Sequence, residues 1–260
     1  MARHFMLTSV ALLLIFFSSG GSANPPSVRN ERIVGGNELS IYNAPWQVSI
    51  QVSARHVCGG AIYSKDIIIT AAHCVDSTSV TLMKVRVGAN HHNSGGSLIP
   101  VASYTIHEQY NQKLKYYDIA LVRLATQLTY SISVKAIGLA SVSPKAGSDV
   151  SVSGWGFTEE NGATGFANSL QVVQLQIIER NECASAKYGY GWDFVGEEMI
   201  CAAADNKDSC TGDSGGPLVS DRLLAGIVAW GFGCARANYP GVYVDVAMLR
   251  TWIINSANSL

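Results

Sequence analysis

Six cysteines constrain this chain more than any other feature: Cys58, Cys74, Cys183, Cys201, Cys210 and Cys234 all follow an N-terminus built like an export signal. That signal reads as Arg3, an apolar run from Val10 to Phe17, and small residues ending in Gly21-Ser22-Ala23, with cleavage expected after Ala23. The run is well short of the ~18 apolar residues that cross a bilayer, and no later segment is longer, so secretion is expected and membrane anchoring is not. In an oxidising compartment an even cysteine count predicts three disulfides, and the residues by themselves leave every pairing open. No cysteine stands in a C-x-x-C pair and His73 is the only histidine beside one, which disfavours a zinc site.

With 260 residues and 48% hydrophobic content the chain can bury a large core. Its formal net charge of −1 supplies neither a basic field for nucleic acid nor a polybasic signal for a membrane surface. Residues 24–32 carry Pro25-Pro26 and three charges and are too poor in apolar surface to fold alone; they read as a propeptide ahead of a domain over 33–260. Within that domain apolar and polar residues alternate: Val85 and Val87 about Arg86, Val173, Leu175 and Ile177 about Gln174 and Gln176, and Val242, Val244 and Val246 near the end. This period of two predicts half-buried strands, and the Gly- and Asn-rich stretches 90–96 and 161–165 interrupt them as antiparallel hairpins would. Val246, Leu249, Trp252, Ile253 and Ala257 recur at intervals of three and four, which predicts a docked C-terminal helix on an otherwise all-β barrel or sandwich protein.

The segment Asp208-Ser209-Cys210-Thr211-Gly212-Asp213-Ser214-Gly215-Gly216-Pro217 concentrates three glycines around one serine. Such a turn can aim backbone N–H groups at one point, which suits a developing oxyanion, although Gly, Asp and Ser also make plain surface turns. A serine nucleophile needs a base. Of six histidines, His4 falls in the signal and His91 and His92 in a polar loop, whereas His73 follows the apolar run Ile67-Ile68-Ile69-Thr70 and adjoins Cys74. An imidazole base in turn wants a carboxylate, and Asp118 enters the hydrophobic run Ile119-Ala120-Leu121, where a lone charge is costly without a partner.

Taken together, Thr70-Ala71-Ala72-His73-Cys74, Asp118-Ile119-Ala120-Leu121, Gly212-Asp213-Ser214-Gly215-Gly216-Pro217, Ile33-Val34-Gly35-Gly36 and Gly154-Trp155-Gly156 resemble the motifs of the trypsin-like, chymotrypsin-fold serine proteases. The resemblance runs from Ile33 to the terminal helix, and the tract from Lys187 to Phe194 with the six cysteines looks most like insect trypsins. It implies two packed six-stranded antiparallel barrels, divided near residue 140, and the pairing Cys58–Cys74, Cys183–Cys201 and Cys210–Cys234. It implies a secreted endopeptidase with Ser214 as nucleophile, His73 as base, Asp118 as its partner and the N–H groups of Gly212 and Ser214 as oxyanion donors. Asp208 would select Arg or Lys, with Ser209 beside it and Gly231 and Gly241 as open walls. Cleavage at Arg32-Ile33 would free an amine to pair with Asp213 and so activate a zymogen.

Further expectations attach to the resemblance: a monomer, protein or peptide substrates, protease inhibitors as partners, no cofactor and a digestive role. The loop 89–97, where many trypsins hold calcium, contains no acid, so no metal is expected there. Two positions depart from the pattern. Ala229 replaces the serine that supports the buried acid, and Thr211 replaces a glutamine at the rim. Ala229 leaves a rival reading, a weak or inactive protease homologue that acts as a binding protein.

Overall fold

The computed structural model of the chain describes residues 34–260. The expected signal, the propeptide, Arg32 and Ile33 lie outside the described residues. After a short β1 (Asn37–Glu38), six strands form the first barrel: β2 (Gln47–Val52), β3 (Arg55–Ile62), β4 (Ile67–Thr70), β5 (Met83–Val87), β6 (Ser97–Ile106) and β7 (Ala120–Leu124). They close in the spatial order β2-β3-β4-β7-β6-β5, every pairing antiparallel. Six more build the second: β8 (Asp149–Gly154), β9 (Gln171–Ile178), β10 (Met199–Ala203), β11 (Pro217–Ser220), β12 (Leu223–Trp230) and β13 (Gly241–Asp245). Their order is β9-β10-β13-β12-β11-β8, and the β8–β9 pairing closes the ring while β1 adds to the outer edge of β9. Closure leaves no long unpaired edge for another chain to extend.

The alternations mark strands where they were expected. Met83, Val85 and Val87 point inward on β5, and Gln171, Val173, Leu175 and Ile177 do so on β9 while Gln174 and Gln176 face water. The last stretch differs. All five residues of β13 are buried, because it lies between β10 and β12 with its two faces against different clusters, Tyr243 on one and Val244 on the other. Val246 falls beyond that strand. The helix predicted at the end is α2 (Arg250–Ser259), following the one-turn α1 (Arg180–Cys183), and it seats Ile253 fully in the core below Val246 and Leu249.

The disulfides join Cys58 to Cys74, Cys183 to Cys201 and Cys210 to Cys234, the pairing that the resemblance implied. They close loops with sequence separations of 16, 18 and 24 residues. In the chain-constraint account a loop of that size is worth roughly 3 kcal/mol against the unfolded chain. Their placement matters as much, since the first clamps the segment carrying His73 and the third the segment carrying Ser214.

Candidate active site

Register brings the first two groups together. β4 and β7 pair antiparallel with Thr70 opposite Ala120, so the exit from β4 and the entry to β7 share one end of the barrel. His73 sits three residues past that point in a 3-10 turn, Ala72–Cys74, and Asp118 sits two residues before it. Asp118 is fully buried and takes two hydrogen bonds from the same residue: His73 Nδ1 at 2.6 Å and the His73 backbone N–H at 2.9 Å. Because Nδ1 bears the proton in that arrangement, Nε2 is left as the basic atom of a partly exposed ring.

Ser214 belongs to the second barrel, on the turn that leads into β11. Gly59 of β3 donates its N–H to the Ser214 carbonyl at 2.8 Å, and Gly215 donates to Val228 of β12 at 2.7 Å, so the serine turn is stitched to both barrels. Cys58, next to Gly59, has its sulfur within 4.8 Å of ligand atoms of His73 and Cys74. Both sulfurs are consumed by the disulfide, which leaves that cluster no thiolate for a metal. Among the described residues no hydrogen bond joins His73 to Ser214; in resting enzymes such contacts are commonly long and tighten when substrate seats.

Gly212 adopts φ +98°, and a Cβ there would stand 2.6 Å from the ring of Phe166, so only glycine fits the turn. Its carbonyl is held by His56, a residue the sequence reading did not single out. His56 is 4% exposed, donates from Nε2 to the Gly212 carbonyl at 3.0 Å, and accepts at Nδ1 from the Ser49 hydroxyl at 2.8 Å. Burial pushes its pKa down to about 4, with the neighbouring His92 adding to the effect, so the ring is a neutral strut. That bond fixes the Gly212 carbonyl and with it the Gly212–Asp213 peptide.

Asp213 is fully enclosed and accepts N–H groups from Gly156 at 2.8 Å and Cys210 at 3.0 Å. Burial pushes its carboxyl up to about 6 against the pull of those two bonds. The Gly154-Trp155-Gly156 segment gains a physical reason here: a Cβ on Gly156 would lie 2.5 Å from the Asp213 carboxyl carbon.

A cavity of about 430 Å³ opens beside Ser214, walled by Cys210, Trp230, Gly231 and Gly241 with Asp208 and Ser209 lining it. Asp208 is 3% exposed; Oδ2 accepts the Ala235 N–H at 2.9 Å, whereas Oδ1 has no partner among the described residues. Burial pushes its carboxyl up to about 7, opposed by the Ala235 N–H. A Cβ on Gly241 would stand 2.9 Å from that free oxygen, and one on Gly231 meets nothing closer than 3.6 Å and would project into the cavity. Ser209 Oγ lies 3.3 Å from the Tyr243 hydroxyl. Behind Asp208 a larger hollow of about 690 Å³ is lined by Asp149, Asp205 and Lys207 and does not include His73 or Ser214.

Two surroundings were not legible beforehand. Trp230, Phe232 and Phe194 form a chain of rings with centroids 5.7 and 6.2 Å apart, and Phe194, Phe232 and Trp192 are exposed. In the loop 89–97 the carbonyls of His92 and Gly95 are taken by the Arg86 guanidinium at 3.1 and 2.5 Å, a cation supplied by the chain itself. His91 and His92 do not converge: His91 reaches the Asn168 carbonyl, while His92 is half-buried against His56 and Phe166 and is not the solvated loop residue expected.

With this geometry established, comparison with known proteins is specific. The Trypsin family profile matches residues 33–253. The chain is 58% identical to "Trypsin iota" of Drosophila melanogaster over the full length of both chains, and 47% identical to "Trypsin alpha" of the same fly over 98% of this chain and all of the relative. Among solved structures it resembles neuropsin, a serine protease expressed in the limbic system of mouse brain, with a TM-score of 0.78 and 33% identity over 85% of this chain and 98% of the other.

Proposed function

The chain belongs to the trypsin family and is a trypsin-like serine endopeptidase, and we propose that it cleaves after Arg or Lys once secreted and processed at Arg32. One observation carries this specificity: a buried carboxylate with an unpaired oxygen in the cavity beside Ser214. A carboxylate so placed is unfavourable until a guanidinium or ammonium reaches it, so the cavity favours long cationic side chains and rejects apolar ones.

The proposed chemistry follows from the other distances. Ser214 Oγ attacks the scissile carbonyl as His73 Nε2 takes its proton, while Asp118 holds the imidazolium through Nδ1 and the N–H groups of Gly212 and Ser214 receive the oxyanion. His73 then returns the proton to the departing amine, leaving an ester on Ser214. Water, activated by the same nitrogen, hydrolyses that ester and restores the serine. The aromatic chain from Trp230 to Phe194 offers apolar contact to substrate residues ahead of the scissile bond. A freed Ile33 amine would place its charge on Asp213 and order the Gly212 turn; because the amine must be protonated to do so, activity should fall in alkali. A leader of this type and the relatives named above support a secreted, digestive, monomeric enzyme open to inhibitors.

Processing at Arg32 followed by hydrolysis of amides carrying Arg, Lys, Phe or Ala before the scissile bond tests the reading. Arg and Lys amides should be cut and the others largely spared; a processed enzyme that cuts none of them, or cuts Phe as fast as Arg, refutes it. The rival reading as a weak homologue rests on Ala229, buried in β12, since among the described residues Asp118 receives its hydrogen bonds from His73 alone. A hydroxyl there adds a donor to a buried carboxylate, worth about 1–3 kcal/mol at most, so Ala229→Ser should raise kcat by up to roughly 100-fold. An unchanged kcat shows that Asp118 needs no further donor.

A further inference from the structure

Glu198 is 5% exposed, carries a carboxylate into the interior, and takes no part in the chemistry above. It precedes β10 in the second barrel, where its carbonyl accepts the Asp245 N–H at 2.8 Å. Its side chain crosses to the first barrel and accepts the backbone N–H of Tyr117 at Oε1, 3.1 Å away. Tyr117 is the residue before Asp118, and its φ is +50°, in the left-handed region that a bulky side chain enters only when its surroundings hold it there. Its carbonyl accepts the Ile119 N–H at 2.7 Å, which puts Asp118 at the apex of a three-residue turn. The Tyr117 ring is fixed separately by stacking on His107 at 4.6 Å, and His107 packs on Trp252 of α2 at 4.8 Å.

The turn that aims Asp118 is thus held at two points, its ring by His107 and its amide by Glu198. Among the described residues the other charged or titratable groups around it include Glu108, which accepts the Trp252 indole N–H at 3.0 Å, Tyr116, whose hydroxyl donates to the Asp193 carbonyl at 2.7 Å, and Tyr110, whose hydroxyl accepts from the Lys115 ammonium at 3.5 Å. None of them is hydrogen-bonded to the Tyr117 amide. We propose that Glu198 is a positioning residue for the triad: it reaches from the second barrel to fix the left-handed backbone at Tyr117, and so sets the angle at which Asp118 meets His73. Without that acceptor the amide is stranded without a partner, and the turn can relax toward ordinary φ and swing the Asp118 carboxylate off Nδ1. This rests on the proposed role of Asp118.

The test uses processed enzyme with Glu198→Leu, Glu198→Asp and Glu198→Gln, each normalised by titration of its acylatable serine. Leu removes the acceptor, Asp keeps the charge but falls one methylene short, and Gln keeps an oxygen at the same reach. Leu and Asp should lower kcat by about 10- to 100-fold with KM within about twofold, the size expected from misaligning a reacting pair. Gln should retain wild-type kcat. The low-field NMR signal of the His73 Nδ1 proton, recorded in a Ser214→Ala background, should be displaced in Leu and Asp and retained in Gln. Wild-type kcat and resonance in Leu and Asp overturn the proposal, as does a Gln variant as impaired as Leu; if Leu does not fold, the Asp and Gln pair decides. The resonance needs no turnover, so it tests Glu198 even if Ser214→Ala were to stay active and the triad assignment fell.

Discussion

Ser214→Ala in the processed enzyme is expected to lower kcat by about 10⁶, the loss seen when a serine protease is deprived of its nucleophile. Binding should survive, because the Ser214 backbone is held by Gly59 and its neighbour Gly215 by Val228, neither bond using the hydroxyl. A small arylamidine that competes for the cavity should therefore keep its inhibition constant within about twofold. His73→Ala should cost nearly as much, and the double variant little more than either single, because base and nucleophile act as one unit. Steady-state hydrolysis of an Arg amide, corrected for contaminating protease with an irreversible serine reagent, measures all three. Residual turnover above roughly one per cent in Ser214→Ala, or additive losses in the double variant, would remove the proposed chemistry.

The residues proposed to do the chemistry stand out because each is embedded in a local pattern: His73 beside Cys74, Asp118 at the mouth of an apolar strand, Ser214 among glycines. The strands were legible for a similar reason, since Val85 and Leu175 lie on faces that alternate in sequence as in space. What escaped was whatever depends on contact between distant segments. His56 looks like any polar strand residue until Gly212, 156 positions away, presents its carbonyl. Glu198 reads as a solvated acid, and only the approach of Tyr117 from the other barrel makes it a buried acceptor. Arg86 alternates correctly on β5, yet its use as the cation of the loop 89–97 is a property of folded carbonyls. β13 misled in the opposite sense: Val242 and Val244 alternate with Tyr243, but a central strand covered on both faces buries all three.

Asp208→Asn is expected to lower kcat/KM for Arg and Lys amides by roughly 10²–10⁴, the 3–5 kcal/mol lost when one partner of a buried ion pair is removed. Phe and Ala amides, which never used the charge, should change by no more than about threefold, so the ratio between substrates reads out the pocket directly. Two pH effects separate this from a general loss of structure. Burial pushes the Asp208 carboxyl up to about 7, and a cationic ligand requires the ionised form, so arylamidine binding should weaken about tenfold between pH 8 and pH 6 in the wild type and stay flat in Asp208→Asn. Stability should move the other way. A carboxyl whose folded pKa lies above its unfolded value of 3.8 favours folding in its neutral form, so folded stability is lost as pH rises from about 4 to about 7 and is constant beyond. Asparagine does not carry that penalty. The thermal midpoint of Asp208→Asn should rise relative to wild type across the same interval and hold its lead above pH 7. A variant that loses Arg and Phe hydrolysis alike, or whose midpoint falls below wild type at pH 8, would mean that Asp208 braces the loop and does not select the substrate.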